Sequence, residues 1–378
     1  MECPRCGNRD ERCFYKGSRG VYCRKCVRFK RILLEEEIGE LSYDVKLGVE
    51  EYTLRYELTK DQKRASKECL EALKKGDVLL SCVCGAGKTE ITIESISSFL
   101  KEGKKVCFAI ARREVVIELS RRFQEIFPEA EVIAVYGGHH EKTTGDLIVC
   151  TAHQLYRYHH TFDLLIIDEA DAYPLSGDET LYGIALSSCR GRILYSTATV
   201  DETLKKVLSR RPYTTVSLFV RPSYEPLPLP SCFLAPVLFS FLYLFYLFHR
   251  EKGQIIVFLP EKKLTKLYWS LFRHFVSSTY VYSDLPSREE AIREFREGRK
   301  RVIFSTSVLE RGVTIRNVSV VILDIRKGIF NVSSLIQMLG RLRRGIGDLK
   351  GEGYIFLNRY DPAVTETIRT LKEANAHL

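Results

Sequence analysis

Short apolar runs alternate with longer stretches of mixed polar and apolar residues from about Leu58 onward. This alternation is typical of β-strands separated by crossover helices, and it predicts an α/β fold with parallel sheets. The strands predicted in the first half of the series are Val78–Cys82, Val106–Ala111, Val132–Val135, Leu147–Cys150, Leu164–Asp168 and Ile193–Ser196. Those predicted in the second half are Ile255–Leu259, Thr279–Tyr282, Arg301–Ser305, Val318–Asp324 and Tyr354–Leu357.

Two changes in this pattern divide the chain. Before residue 58 the sequence is rich in Cys, Arg and Tyr, and then becomes a mixture of acidic and apolar residues without a strong strand pattern. Residues 211–230 contain five prolines, which interrupt the alternating series. We therefore predict a small module with a linker over 1–57, a first lobe over 58–210, a connection over 211–230 and a second lobe over 231–378.

Charge and cysteine usage narrow the class of protein. Lys and Arg number 58 against 48 Asp and Glu, a net charge of +10, which favours a polyanionic partner. Most of the twelve cysteines are scattered singly or lie inside apolar runs, so they do not resemble a secreted disulfide framework and indicate a reducing cytosol. The polar stretch Met1–Asp10 does not resemble a signal peptide.

Two cysteine pairs near the N-terminus have the spacing of a metal site. They form C-x₂-C-x₁₆-C-x₂-C, and their members are Cys3, Cys6, Cys23 and Cys26. Two such knuckles supply four thiolates to one tetrahedral ion, so we predict a closed structural zinc site, with reduced, metal-free thiols as the alternative. Cys13 falls outside the spacing and is interpreted as a spare thiol.

A basic strip lies beside this cysteine module. It is either a nucleic-acid contact, with nearby aromatic residues for base stacking, or an ordinary solvated basic face. The basic residues are Arg24, Lys25, Arg28, Lys30 and Arg31, and the aromatic ones are Phe14, Tyr15, Tyr22 and Phe29.

A glycine loop follows the first predicted strand and precedes a helical pattern that starts at Glu90. This order directs backbone N–H groups and a helix N-terminus toward phosphates, as in a P-loop. We expect Lys88 to reach the outer phosphates and the Thr89 hydroxyl to bind Mg²⁺. A glycine-rich turn without a ligand is the alternative. The predicted nucleotide-binding residues of the loop are Gly85, Ala86, Gly87, Lys88 and Thr89.

The apolar run at 164–167 ends in an acidic segment, Asp168–Asp171. Because the carboxyl ends of parallel strands meet at one edge of a sheet, we expect Asp168 to lie beside the P-loop and hold Mg²⁺. Glu169 is then placed to orient or deprotonate the attacking water. Taken alone, these residues are equally consistent with a solvated loop or a helix cap.

With these residues in place, the chain resembles the superfamily-2 helicases and translocases, whose two RecA-like lobes clamp ATP. The resemblance implies that Gln62 reads the adenine edge and that Gly312 belongs to the nucleotide site. The further matching segments are Leu58–Gln62, Ser196–Thr199, Thr306–Thr314 and Gln337–Arg344.

The last of these segments supplies the remaining candidate catalytic residues. They are Gln337, Arg341 and Arg344. Guanidinium groups stabilise the charge that develops on a transferred phosphoryl group, and Arg344 is favoured over Arg341 for this role. Arg343 stands where the family usually has glycine, so the choice between the two arginines stays open.

Within that superfamily the chain is similar to the late-competence DNA-uptake ATPases of the ComFA family. The resemblance implies a cytoplasmic ATPase, expected also at the inner face of the membrane, that helps pull single-stranded DNA through a membrane channel. It further implies that channel and a phosphoribosyltransferase-like protein as partners. The segments that carry it are Arg112–Arg122, Tyr136–Gly138, Thr151–Leu155, Asp168–Pro174, Arg221–Tyr224, Pro226–Pro230 and Leu309–Thr314.

The resemblance also implies a nucleic-acid track on loops that face away from ATP, with contacts to phosphate and sugar. The candidates are Arg112, Arg113, Thr151, His153, Gln154 and Thr306. Each has an ordinary alternative, because the arginines are equally consistent with helix-cap charges and His153 with a buried structural histidine.

The segment Cys232–Phe248 is almost entirely apolar but slightly shorter than the ~18–20 residues that cross a bilayer. A spanning helix here conflicts with the motor, because Lys88 and Arg344 would lie on opposite sides of the membrane. We predict a core helix of the second lobe, with Pro236 in its first turn, and keep a docking surface as the alternative.

The leading prediction is an ATP-dependent single-stranded DNA translocase with ATP, Mg²⁺ and Zn²⁺ as cofactors. A primosomal or repair DNA helicase and an RNA helicase are the alternatives among motors. A nucleic-acid-binding scaffold without turnover is the alternative from another class.

Overall fold

The computed structural model describes residues 1–46, 48, 51–310, 315, 317–325, 330–343, 350–376 and 378. Within those ranges the chain forms two compact units, Met1–Leu218 and Phe219–Leu378. Each unit is built around its own parallel sheet, so the α/β class predicted from the sequence is confirmed.

The first unit begins with a small hairpin and continues as a parallel sheet with crossover helices. Its strands are β1 (Phe14–Gly17), β2 (Gly20–Cys23), β3 (Asp77–Cys82), β4 (Val106–Ile110), β5 (Val132–Val135), β6 (Leu147–Thr151), β7 (Phe162–Asp168), β8 (Cys189–Thr197) and β9 (Tyr213–Leu218). Its helices are α1 (Lys60–Leu73), α2 (Lys88–Lys101), α3 (Arg113–Ile126), α4 (Glu179–Ser188) and α5 (Glu202–Leu208). Short 3₁₀ helices occupy Glu11–Cys13, Arg24–Phe29 and Ala152–Arg157.

The large sheet of this unit has the strand order β5-β6-β4-β7-β8-β3-β9, and every pairing in it is parallel. The central strands β4 and β6 are buried along their whole length. All strand carboxyl ends therefore meet at one edge, with those of β7, β8 and β3 next to one another. This edge is where open α/β sheets bind ligands.

The boundary of the first unit differs from the predicted one. Strand β9 pairs with β3 along six positions, from Asp77 opposite Tyr213 to Cys82 opposite Leu218, so these residues belong to the sheet and not to a connection. The first three residues of β9 are exposed, as suits an edge strand. Such a half-polar strand gives no apolar run, which is why the sequence pattern did not predict it.

The cysteine module is part of the first unit and not a separate body. Its four cysteines share one continuous core cluster with strands of the large sheet and with α4, and Phe29 and Ile32 extend that cluster. Cys3 and Cys6 lie on an N-terminal turn, Cys23 ends β2 and Cys26 lies on a 3₁₀ helix. None of these short elements shows the long periodic pattern that predicts a helix or strand from sequence.

The second unit repeats the parallel architecture, with the strand order β10-β15-β14-β11-β13-β12. Its strands are β10 (Ser231–Leu234), β11 (Gln254–Phe258), β12 (Ser278–Val281), β13 (Val302–Ser305), β14 (Val318–Ile322) and β15 (Gly353–Leu357). Its helices are α6 (Val237–Arg250), α7 (Lys262–Phe272), α8 (Arg288–Arg296), α9 (Val332–Leu339) and α10 (Pro362–Asn375), with a 3₁₀ helix at Ser307–Leu309.

The apolar segment at 232–248 forms an edge strand, β10, followed by most of α6. The helix begins after Pro236, which is its N-cap residue and not a first-turn residue as predicted. Leu244, Leu247 and Phe248 are buried in the core of the unit, whereas Leu238 and Leu242 are 69% and 59% exposed. The helix is therefore half core element and half exposed apolar face. In the described part of the chain, no helix combines the length and the apolar character needed to cross a membrane.

Candidate nucleotide and nucleic-acid site

The glycine loop lies between β3 and α2, and its backbone requires glycine. Gly85 and Gly87 have φ angles of +85° and +82°, in the left-handed region that costs other residues about 1–2 kcal/mol. A methyl group added at Gly87 would lie 2.4 Å from the Nε2 atom of Gln62. Helix α2 begins at the next residue, Lys88, so the loop presents a helix N-terminus, which is a favourable place for phosphate.

Gln62 supports this loop from α1. Its side-chain Nε2 donates to the carbonyl of Ala86 at 2.8 Å, and its Oε1 accepts from the backbone N–H of Thr59 at 3.0 Å. The second contact is half of a capping box that starts α1. Gln62 is buried, so it connects the start of α1 to the P-loop. Its predicted contact with adenine stays a prediction.

The acidic segment lies next to Lys88, as the strand order requires. Burial by itself lowers the pKa of the Lys88 ammonium, but the negative charges around it more than offset this and raise it. In decreasing order of effect these are Asp168, Cys84, Asp171 and Glu169. Burial raises the pKa of Asp168, and the charge of Lys88 opposes that shift. Lysine and carboxylates therefore form one coupled group of charges at the carboxyl ends of β3 and β7.

Glu169 occupies a backbone conformation that is unusual for its residue type. Its φ angle is +54°, in the left-handed region, directly after β7 ends at Asp168. Such conformations cost of order 1–3 kcal/mol and occur most often at functional sites. The neighbouring Asp171 accepts a hydrogen bond from the Thr199 hydroxyl at 2.6 Å. The acidic segment is thereby joined to Ser196–Thr199, one of the segments that match the helicase superfamily.

Magnesium fits the oxygen groups of this site. Asp168 is 8% exposed, and burial makes its anionic form costly, so a divalent cation beside it would relieve that cost. Mg²⁺ is held in proteins by one or two carboxylates together with hydroxyl, water and phosphate oxygens. Asp168 and Thr89 are the residues of this chain that would hold it.

The four paired cysteines converge on one point. Their sulfur atoms all lie within 4.8 Å of one another, with 3.7 Å between Cys3 and Cys26 and 4.0 Å between Cys6 and Cys23. Tetrahedral Zn–S bonds of about 2.3 Å place sulfurs ~3.8 Å apart, so the cluster has the dimensions of a zinc site. Hydrogen bonding to Cys3 and Cys6 raises the pKa of Cys26, and burial and the negative charges of these two neighbours raise it further. Adjacent thiolates repel one another when no cation lies between them. A bound cation would remove that conflict.

Five of the six track candidates lie at the same carboxyl edge of the sheet as the nucleotide loop, and not on loops that face away from it as the resemblance implied. Arg112 and Arg113 follow β4, and Thr151 ends β6, which pairs directly with β4. His153 and Gln154 lie on the 3₁₀ helix that follows β6. We call the part of this edge at β7, β8 and β3 the nucleotide half, and the part at β4 and β6 the track half, after the candidate residues that each part carries.

The cysteine module is packed against this track half. The Phe29 ring lies 6.1 Å from the ring of His153 and 6.2 Å from that of Tyr156, centroid to centroid. Burial and the charge of Arg28 lower the pKa of His153, which keeps its imidazole neutral. Phe29, one of the four aromatic residues considered for base stacking, is buried in the core. The basic strip itself is exposed, and within it Arg28 is paired with Asp178.

In the second unit, Gln337 and Arg341 are buried at the C-terminal end of α9. The Arg341 guanidinium donates to the carbonyl of Glu310 at 2.7 Å and 3.1 Å. This contact ties the segment at 337–344, called here the sixth helicase-like segment, to the segment at 306–314, the fifth. Thr306 follows β13, at the carboxyl edge of its sheet. Gly312 and Arg344 lie outside the described residues, and the predicted catalytic contact of Arg341 stays a prediction.

Arg343, which stands where the family usually has glycine, has an unusual backbone conformation. Its φ angle is +48°, so the chain keeps here the left-handed conformation that glycine adopts most easily. The Arg343 side chain donates to the carbonyl of Gly351 at 3.3 Å. Arg343 thus adopts a conformation that glycine would also adopt without strain.

Sequence reasoning missed the role of Arg221. This arginine is 6% exposed, and its guanidinium donates to the carbonyls of Leu342 and Arg343 at 3.0 Å and 3.3 Å. It thereby fixes the end of the sixth helicase-like segment from the proline-rich stretch. The signal in the sequence was the segment Arg221–Tyr224, which was noted only for its resemblance to a family.

Replacing Arg221 with alanine is expected to destabilise the second unit by about 2–3 kcal/mol, because two buried carbonyls lose a charged donor. The loss of stability is measured by denaturant unfolding, with amide hydrogen exchange in β14 and β15 as the probe. Arg299→Ala is the matched control, since Arg299 is half exposed and pairs only with surface carboxylates, so its loss is expected to cost under ~1 kcal/mol. Equal effects of the two changes would contradict the structural role of Arg221.

Comparisons with known proteins decide the family. Residues 55–201 match the family described as "Type III restriction enzyme, res subunit", and residues 238–345 match "Helicase conserved C-terminal domain". The chain is 30% identical to the competence protein ComFA of Bacillus subtilis, over 99% of this chain and 85% of that protein. It is 28% identical to ComFA of Streptococcus pneumoniae, over 99% of this chain and 90% of that protein.

The chain belongs to the ComFA family. It is a helicase-like competence protein and an ATPase of the superfamily-2 type, which implies ATP and Mg²⁺ as cofactors.

The fold agrees with this family. Saccharomyces cerevisiae Dbp5 bound to RNA and ADP BeF3 is similar in structure, with a TM-score of 0.66 and 19% identity over 85% of this chain and 88% of that one. RecG bound to a three-way DNA junction gives a TM-score of 0.59 with 19% identity, over 86% of this chain and 47% of that one. These likenesses confirm the two RecA-like lobes.

Proposed function

We propose that this protein is a single-stranded DNA translocase that hydrolyses ATP during DNA uptake in natural competence. The observation that carries the proposal is the division of one sheet edge into a nucleotide half and a track half. The register joins the halves directly, because β4 pairs with both β6 and β7. Asp168 and Glu169 are thus one strand away from Arg112, which follows β4, and two strands away from Thr151, which ends β6.

The chemistry of the nucleotide half is in-line transfer of the terminal phosphoryl group to water. Lys88 and the loop N–H groups bind the phosphates. Asp168 and Thr89 would hold Mg²⁺, which would supply positive charge to the phosphate oxygens. Glu169 accepts the proton of the attacking water. Arg344 supplies the guanidinium for the transition state, with Arg341 holding the neighbouring backbone in place.

Several finer assignments belong to the same proposal. Zn²⁺ occupies the four-cysteine cluster as a structural ion. The exposed basic strip adds to the positive track that holds the DNA backbone. The protein works in the cytoplasm at the inner face of the membrane, beside a DNA-uptake channel and a phosphoribosyltransferase-like protein, as its family suggests.

The test is steady-state ATP hydrolysis by the purified protein without nucleic acid and with single-stranded DNA, duplex DNA or RNA. We expect single-stranded DNA to stimulate hydrolysis most strongly, and Lys88→Ala to abolish it. Lys101→Ala, at the exposed far end of the same helix, is the matched control and is expected to behave as the unchanged protein.

Other outcomes decide against the proposal. Stimulation mainly by RNA or by forked duplex would replace the translocase with an RNA helicase or a repair helicase. Absence of hydrolysis under every condition, with cellular activity kept in Lys88→Ala, would favour a scaffold.

A further inference from the structure

The cysteine module makes backbone contact with α4 at one residue. An added Cβ at Gly183 would lie 2.0 Å from the carbonyl oxygen of Cys6 and 2.8 Å from its carbonyl carbon. Real Cβ atoms do not approach so closely, so only glycine allows the first cysteine knuckle to lie against the helix. Any shift of the knuckle on loss of metal is therefore transmitted to α4.

The residue before this glycine reaches into the nucleotide half. Tyr182 is completely buried, and its hydroxyl donates to the carbonyl of Ala170. Ala170 directly follows Glu169, the residue with the positive φ angle, and its own N–H donates to the carbonyl of Ser196 at 3.2 Å. The Tyr182 hydroxyl thus holds the backbone where the acidic segment turns.

A second contact fixes the start of the same helix. Asp178 is the N-cap of α4 and accepts from the N–H groups of Thr180 and Leu181 at 3.1 Å and 3.0 Å. The same carboxylate is paired with Arg28 of the cysteine module. The cysteine module, α4 and Ala170 belong to one continuous core cluster. The contacts at Gly183 and Asp178 therefore join elements that are closely packed against one another.

We propose that Tyr182 is a positioning residue for Glu169, and that the metal-loaded cysteine knuckle sets the position of Tyr182 through Gly183. The module is then an internal brace of the ATPase centre in addition to any contact with nucleic acid. This inference rests on ATP hydrolysis at the acidic segment and on zinc in the cysteine cluster, and it is independent of the polymer on which the protein acts.

Tyr182→Phe tests the positioning of Glu169 by the hydrogen bond from Tyr182 to Ala170, because the change removes only the hydroxyl. Loss of this hydrogen bond is expected to lower kcat for unstimulated ATP hydrolysis about 10-fold, with the KM for ATP nearly unchanged. Tyr158→Phe is the matched control, since Tyr158 is also buried in this core and donates to a loop carbonyl, that of Thr143, at 3.0 Å. We expect similar falls in Tm for both variants and a fall in kcat for Tyr182→Phe alone.

Zinc affinity tests whether the metal-loaded cysteine knuckle sets the position of Tyr182, and it does so without a measurement of turnover. If the knuckle holds Glu169 in its working position, a transition-state analogue such as ADP with aluminium fluoride, whose binding depends on that position, must change the affinity of the protein for zinc, because coupling between two binding events is reciprocal. We expect about a 5-fold change in competition with a chromogenic chelator, and no change in Tyr182→Phe. Equal zinc affinity with and without the analogue would overturn the metal link. Unchanged kcat in Tyr182→Phe, or equal losses in both tyrosine variants, would overturn the positioning role.

Discussion

Replacing Glu169 with glutamine is expected to lower kcat for ATP hydrolysis about 10²–10⁴-fold, in the presence and absence of single-stranded DNA. Glutamine has the same shape but cannot accept the proton of the attacking water. Asp168 and Lys88 are left unchanged, so ATP and Mg²⁺ should still bind. Single-turnover hydrolysis and titration with a fluorescent ATP analogue measure the two effects separately.

Glu202→Gln is the control for this experiment, since Glu202 is an exposed glutamate of the same unit that is paired with Lys205. It is expected to leave both measurements unchanged. A Glu169→Gln protein that hydrolyses ATP at the ordinary rate would show that another group accepts the proton. Loss of ATP binding would instead show that Glu169 acts in holding the P-loop.

Replacing Gly87 with alanine is expected to weaken ATP binding about 100-fold. The left-handed backbone at this residue costs alanine about 1–2 kcal/mol, and its methyl group would displace the Gln62 amide from Ala86, which costs about 1 kcal/mol more. A total of about 3 kcal/mol corresponds to roughly two orders of magnitude in affinity. Equilibrium titration with a fluorescent ATP analogue measures it.

Gly177→Ala separates backbone strain from the steric overlap. Gly177 has a φ angle of +77°, close to that of Gly87, but an added Cβ there meets no atom within 4 Å. The control should lose a similar amount of folding stability while binding ATP normally. Normal ATP binding by Gly87→Ala as well would mean that the P-loop tolerates a side chain at this position.

The sequence predicted the parallel sheets and the nucleotide half well, because those features depend on local patterns. Buried strands such as β6 are continuous apolar runs, and the P-loop is a short motif with a fixed order of strand, loop and helix. The predicted strands of both lobes lie within a few residues of the observed ones. Edge strand β9 was missed because its exposed residues leave no clear apolar pattern, and β10 because it lies at the start of an apolar segment that was predicted to be a helix.

Long-range contacts account for what the sequence did not predict. The spacing of Cys3 and Cys6 indicates a metal site, but nothing in it shows that Gly183 receives the knuckle or that Tyr182 reaches Ala170. Arg221 presents the same problem, since its carbonyl partners lie about 120 positions away. Pairwise contacts of this kind depend on how elements pack, and a single sequence records no packing.

The position of the cysteine module also bears on how the protein is made. Arg28 and its partner Asp178 are 150 positions apart, so the cysteines leave the ribosome long before the helix that covers them. At about 5–20 residues per second this interval lasts roughly 10–30 s, during which four thiols are exposed to the cytosol. If zinc fills the cluster, as proposed, this interval is when it binds most readily, because the folded core then surrounds the sulfurs. We therefore expect zinc to enter mainly during synthesis and to exchange slowly afterwards, so that competition with a chelator needs long incubation to reach equilibrium.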